Sequence, residues 1–361
     1  MLEPRQPVAG RRNDRFRPPH CPWPECPAHG STGRSYRCIR RGHYTRKRGP
    51  QRRVQRFECK SCHRTFCKDA FSTTYYLKRP ELLPQVASLL VSGAANRQIA
   101  RHLGCAPSTA TSLGERLGRH ADLFLAWSVE QLESVEEPVD LDHFETFVRS
   151  QQERLGIGTA AGQRSWFVYA LSGAAYLRRK GRSRRKRPLK RRPLPVPSGE
   201  VQRSTREIVE FLLTKSPDGL HLVSDEHPAY RGAVRTLKRE RPGAPPILHE
   251  IHANPDRSNG RDREAARRRD SAMFSIDLLH KLLRHSQAHH RRETIAFGRK
   301  RANVLGRAAL FAVWRNFIKR VTERRPCKTT PGMRIGLTSR EWRWPEVLAE
   351  RLFPARVAAR G

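Results

Sequence analysis

Two sets of side chains in this sequence have the types and spacing for metal chemistry. The first is made of thiols. Four residues separate Cys21 from Cys26, and two separate Cys59 from Cys62. Two short-spaced cysteine pairs joined by a longer loop offer four thiolates, the donor set of tetrahedral zinc. Cys38, Cys67, His20, His29 and His63 are near enough in sequence to substitute for a member of that set. Four thiolates leave no open position, so a zinc held this way is structural. The second set is made of carboxylates: one of Asp140 or Asp142, then Asp225, then Glu293. Such ligands suit magnesium or manganese. Two of these ions roughly 4 Å apart activate a water or a 3′-hydroxyl and stabilise the leaving oxygen in an in-line phosphoryl displacement.

The bulk of the chain favours phosphate. Its 361 residues hold 72 Lys and Arg against 34 Asp and Glu, a formal net charge of +38. A field of that size draws the protein to polyanions, with nucleic acid the natural partner and salt the natural competitor. A hydrophobic fraction of 37% argues against a wholly disordered chain. Six of the eight cysteines fall between positions 21 and 67, which suggests metal binding in a reducing compartment rather than disulfides. No stretch reaches the roughly 20 apolar residues of a membrane span, and the N-terminus lacks the apolar core of a secretory signal. The expectation is a cytoplasmic protein.

The elements that must position these groups follow from periodicity and punctuation. Residues 1–19 read as a disordered basic arm, and 20–72 as a zinc ribbon whose hairpin (36–44 and 54–57) turns near residues 48–50. Residues 78–121 read as a helix-turn-helix unit. Its helices are expected at 80–91 and 96–103, with a third, capped by Ser108, running to about His120. Thr109, Thr111, Ser112, Arg116 and Arg119 stay polar on that third helix, as a major-groove reader requires. Residues 122–137 read as a solvated acidic linker.

From 138 to 322 the pattern is α/β. The stretch 138–150 alternates like a strand and carries Asp140 and Asp142 on one face. Residues 165–178 read as two strands joined by a turn at Ser172-Gly173, completing a three-stranded meander. The segment 178–192 has eleven Lys or Arg and no acid, and reads as a basic flexible loop over 178–198. A helix is expected at 199–215. A short apolar strand then delivers Asp225 at its C-terminal end, where open α/β sheets place active sites. A helix (230–239) and another strand (247–252) follow, then irregular chain over 253–272. Two apolar helical runs flank a polar knot that holds Glu293, which is expected on a helix. Residues 323–361 form a C-terminal extension.

The segments RFECKSCHRTF, VDLDHFETF, LVSDEHPAY, HHRRETIAFGRKR and TPGMRIGLTSREWRWPEVLAERLFPAR, in that order, resemble bacterial insertion-sequence transposases of the DDE superfamily. The resemblance spans nearly the whole chain. It implies an RNase H-like mixed sheet flanked by helices, preceded by a zinc ribbon and a helix-turn-helix domain. It also implies an enzyme that cuts and joins DNA strands at the ends of its own element, using magnesium or manganese, with zinc as a structural ion. Partners would be double-stranded DNA, both terminal inverted repeats and target, with at least a dimer on DNA. Carried over by residue, Asp142, Asp225 and Glu293 are the catalytic, metal-holding acids. Asp142 is preferred to Asp140 because it leads Asp142-His143-Phe144-Glu145, although His143 departs from the acid that relatives commonly have there. His227 and Tyr230 would orient DNA or a water, while His289, Arg291 and Arg292 would bind phosphate near the scissile bond. The alternative reading is a non-catalytic DNA-binding regulator or an inactive transposase remnant.

Overall fold

The computed structural model describes residues 16–29, 36–45, 53–177, 196–255, 262–323 and 327–352. Most of the basic arm, the hairpin turn near 48–50 and most of the basic loop lie outside the described residues.

Near the N-terminus, β1 (Cys38–Thr45), β2 (Arg53–Cys59) and β3 (Thr65–Cys67) form a small antiparallel sheet. β3, too short to show alternation, was not foreseen. Phe57, Phe66 and Phe71 form an aromatic core around Cys21, Cys26 and Cys59. Such a sheet buries little, which is why a metal is the expected complement.

Three helices come next: α1 (Leu82–Val91), α2 (Asn96–His102) and α3 (Pro107–Glu130). Gly104, at φ +57°, makes the turn before α3. Ala106 is the N-cap, and Pro107 opens the helix with its preset φ. Ser108 therefore sits inside the first turn and does not cap it. The reading of 122–137 as a solvated linker is also overturned. α3 continues to Glu130 because Phe124, Leu125 and Val129 are buried, and Leu132 and Val135 are buried beyond it. Even Glu137 is buried. It accepts hydrogen bonds from the Ser165 hydroxyl, from Tyr169 Oη at 2.7 Å and from the backbone N–H groups of Arg164 and Ser165.

The main sheet has five strands, in the order β6-β5-β4-β7-β8. β4 (Val139–Val148), β5 (Ser150–Gly162) and β6 (Val168–Leu177) form an antiparallel meander. β7 (Leu220–Asp225) and β8 (Ile247–His252) run parallel to β4. This antiparallel-then-parallel order is that of an RNase H-like sheet. The meander is composed differently from the expectation. Its middle strand is 150–162, and Ser172-Gly173 lies inside β6 rather than at a turn. A Cβ on Gly173 would come within 2.9 Å of the Leu305 side chain, so this glycine serves close packing.

Helices α4 (Glu200–Leu213) and α5 (Pro228–Glu240) fall at the expected positions. α6 (Arg263–Ala272) replaces part of the irregular chain, and α7 (Phe274–Ser286) packs on β4 and β5. The two apolar runs are α7 and α8 (Arg301–Phe317). α8 packs along α3 so closely that a Cβ on Gly118 would lie 2.9 Å from the Gly306 backbone. Two short helices, α9 (Pro331–Arg334) and α10 (Trp344–Ala349), close the described chain, with α10 against α1. No helix among the described residues is long and apolar enough to cross a membrane.

Candidate metal centres and the groove beside them

Cys21, Cys26, Cys59 and Cys62 converge. Their sulfurs all lie within 4.8 Å of one another. Cys21 and Cys62 are 3.8 Å apart, and Cys26 and Cys59 are 3.7 Å apart. Four sulfurs about 2.3 Å from a central zinc would be spaced by about 3.8 Å, so the group could hold that ion. Backbone N–H groups already point at two of the sulfurs, Ala28 at Cys26 and Ser61 at Cys59, each at 3.4 Å. Burial acts to raise the Cys59 thiol, but donors from Cys62, Ser61, Tyr36 and Cys26 bring it down to about 6. Cys38 and Cys67 stay outside the group: Cys38 faces Cys59 across the β-ladder, and Cys67 lies near the Tyr44 hydroxyl at 3.7 Å.

The second centre lies where β4 and β7 run side by side. Leu141 pairs with Ser224, so Asp142 and Asp225 are the next positions on two neighbouring parallel strands. Asp140 is in a different situation. It is fully buried, with its carboxylate accepting from Gln163 Nε2 at 2.8 Å and Ser275 Oγ at 2.6 Å. Burial pushes it up to about 6, and its partners are all protein groups. Asp142 keeps 19% side-chain exposure. Burial, and then the charge of Asp225, push it up to about 7. Two acids brought together in this way, one of them reluctant to ionise, fit a divalent cation as a carboxylate pair.

The neighbours of Asp142 hold it in place. Tyr230 Oη donates to Asp142 Oδ1 at 3.1 Å, and the His143 backbone N–H donates to the same oxygen at 2.7 Å. The His143 ring stacks on Tyr230 and lies 3.1 Å from its hydroxyl through Nδ1, with Nε2 3.1 Å from Ser204 Oγ. Burial depresses His143 to about 4, so this ring is neutral near pH 7. Tyr230 is 2% exposed and braces the carboxylate. His227 accepts from the Ala229 N–H and caps α5. Sequence reasoning missed Thr159 and His280, which also touch Asp142. Thr159 Oγ1 donates to the Asp142 carbonyl at 2.9 Å, and His280 Nδ1 lies 3.6 Å from Asp142 Oδ2. The available signal was a histidine beside the Ile276, Leu279 and Leu283 stripe of α7.

Glu293 is not on a helix. A short 3₁₀ turn covers Ala288–His290, and Glu293 follows in an exposed loop before α8. Arg291 and Arg292 precede it, and Ile295 and Phe297 after it do not recur at helical spacing, so there is no apolar face to dock a helical turn here. The loop is pinned to the far end of β4: Arg149 N–H donates to the Gly298 carbonyl at 2.8 Å, and Phe147 meets Phe297. Among the described residues the four cysteines are the only group of three or more potential metal donors, so Glu293 does not join the aspartates. It lines instead a groove of about 1730 Å³ between helices α2 and α3 and this loop. Arg97, Arg101 and Thr111 stand on one wall, with Arg291 and Arg299 across from them.

The other expected DNA contacts divide. Ser112, Arg291 and Arg292 are exposed, and Thr109 is half-buried. Thr111 Oγ1 accepts from Asn96 at 3.0 Å. Arg116 turns back and donates to the carbonyls of Thr73 and Tyr75, at 2.9 and 3.1 Å. Arg119 is half-buried, and burial lowers its pKa. His289 is buried and depressed to about 3 by burial and then by Arg307, so it carries no charge for phosphate near pH 7.

No family model and no curated protein matches this chain. Among solved structures it is similar to a chain in the cryo-EM structure of the simian T-cell lymphotropic virus intasome in complex with PP2A regulatory subunit B56 gamma. The identity is 12%, over 77% of this chain and 79% of that chain, and the TM-score is 0.25. An overlap that loose carries no weight beside the strand order and side-chain geometry.

Proposed function

We propose that this protein is a DNA-cutting and strand-joining enzyme, a transposase acting at the ends of its own mobile element. The observation that carries the reading is the placement of Asp142 and Asp225 on adjacent parallel strands, close enough for one to disfavour ionisation of the other. Held by these two, a divalent cation would make a water or a 3′-hydroxyl nucleophilic and stabilise the leaving oxygen. Tyr230 and His143 keep the Asp142 carboxylate in one orientation. The field of the chain, at +38, brings phosphate to the site. Glu293 stands apart from this pair, so the reading rests on the two aspartates, and a tightly held zinc in the cysteine group keeps the ribbon folded. The helix-turn-helix and the ribbon engage the terminal repeats, and at least two copies are needed to bring two ends together.

The second reading is a DNA-binding protein without chemistry. The separation of Glu293 from the aspartates favours it. Excision of a marked DNA segment bounded by the gene's own flanks separates the two, using the wild type, Asp225→Asn and Glu293→Gln. The enzyme reading expects excision by the wild type and none by Asp225→Asn, with both still bound to the flanks. Binding by all three proteins with no excision by any supports the second reading.

A further inference from the structure

The proton on His280 can be placed from its surroundings. Thr159 Oγ1 has one hydrogen, and it goes to the main-chain carbonyl of Asp142, which can only accept. His280 Nε2 lies 2.8 Å from that same hydroxyl oxygen. Nε2 must therefore be the donor, and Thr159 the acceptor. In the neutral ring that leaves Nδ1 as a bare lone pair, and Nδ1 faces Asp142 Oδ2 at 3.6 Å. A lone pair facing a carboxylate oxygen is unfavourable unless a proton or a cation sits between them, and 3.6 Å is too long for a hydrogen bond from a protonated Asp142. Two ligands on one first-row ion, with bonds of about 2.1 Å, are spaced by roughly 3 to 3.4 Å, so this pair stands slightly open around such a position. A metal-binding histidine usually gives its other N–H to an acceptor that fixes the tautomer, and Thr159 has that place here.

We propose that His280 is a nitrogen ligand of the divalent cation at Asp142, and that the resulting carboxylate–imidazole site takes manganese in preference to magnesium. This rests on the metal-dependent reading above and changes its ligand set: α7, which packs on β4 and β5, contributes an imidazole. Imidazole suits first-row transition ions, whereas magnesium favours oxygen and water.

The test uses the full-length, zinc-loaded protein with added manganese and pulsed electron paramagnetic resonance. The wild type should show the ¹⁴N coupling of a directly bound imidazole, and His280→Gln should lose it. Manganese affinity should fall about tenfold or more in His280→Gln, and by less in Thr159→Val, which keeps the ring but frees its tautomer. The preference for manganese over magnesium should narrow in step. Bound manganese without ¹⁴N coupling in the wild type, or with the same coupling in His280→Gln, overturns the proposal and leaves the aspartate pair standing. Failure of the wild type to bind manganese at all overturns both.

Discussion

In the ribbon, four thiols come from two turns that close on themselves. Cys26 N–H returns to Trp23 at 3.1 Å, and His63 N–H returns to Cys59 at 2.9 Å. Each turn presents its sulfurs before any long-range contact is made, and three of the four cysteines are buried. The aspartate centre draws on β4, β7 and α7, whose contributing residues are far apart in sequence. It exists only once the whole sheet and its covering helix have formed. With zinc in its cysteine group the ribbon would depend on the ion for folding, whereas the sheet has a large core of its own and tolerates an electrostatically unfavourable site. The thiols are local and structural, and the acids are assembled at the cost of some stability.

The largest effect that would sharpen this contrast is metal removal from the ribbon. Structural zinc supplies about 10–16 kcal/mol in small zinc modules. Cys59→Ser, or a strong chelator, should therefore abolish ordered structure over the ribbon while the main sheet keeps its hydrogen-exchange protection. Equal loss of protection in both regions would break the comparison.

Asp142 should behave in the opposite way. Its carboxyl is raised from 3.8 to about 7 in the folded protein. The folded state therefore holds a proton that the unfolded state releases, and stability falls as pH rises from about 4 to 7. Without divalent ion, Asp142→Asn should be more stable than the wild type at pH 8, by on the order of 2–4 kcal/mol. Manganese should recover much of that difference in the wild type and none in the variant. Denaturant melts at pH 5 and pH 8 give the numbers.

A third variant asks whether α1–α3 belong with the sheet. Gly306→Leu pushes a side chain into the Gly118 backbone, and overpacking of this kind costs about 1–3 kcal/mol. The cost should appear in a single transition that includes both α3 and α8. The smallest effect is expected from Tyr230→Phe, which removes one hydrogen bond to Asp142, worth about 1 kcal/mol. It should slow DNA cleavage while leaving DNA affinity unchanged, as measured by titration with labelled duplex.

The cysteine pairs were legible in the sequence because their geometry is local. Asp142 and Asp225 were legible as candidates because acids on strands in so basic a chain need a reason. Periodicity could not separate Asp140 from Asp142, since both point to one side of β4. The separation depends on Gln163 and Ser275, which seal Asp140. β5 was missed because its glycines and polar first half show no alternation, and its burial comes from neighbours on both sides. Glu293 was placed on a helix by the apolar runs around it, yet its own segment has no apolar face to dock. The inward turn of Arg116 and the contact of α3 with α8 are tertiary facts that no local pattern carries.

The central claim is that Asp142 and Asp225 perform metal-dependent chemistry on DNA. The most direct measurement is cleavage of an end-labelled duplex carrying the element's terminus by purified protein with manganese. Binding is followed in parallel by fluorescence anisotropy. Wild type should cut, while Asp142→Asn and Asp225→Asn should bind with near-equal affinity and lose cleavage by a factor of about 10³ or more, the scale expected when a group stabilising the transition state is removed. Cleavage by either variant at the wild-type rate would contradict the account.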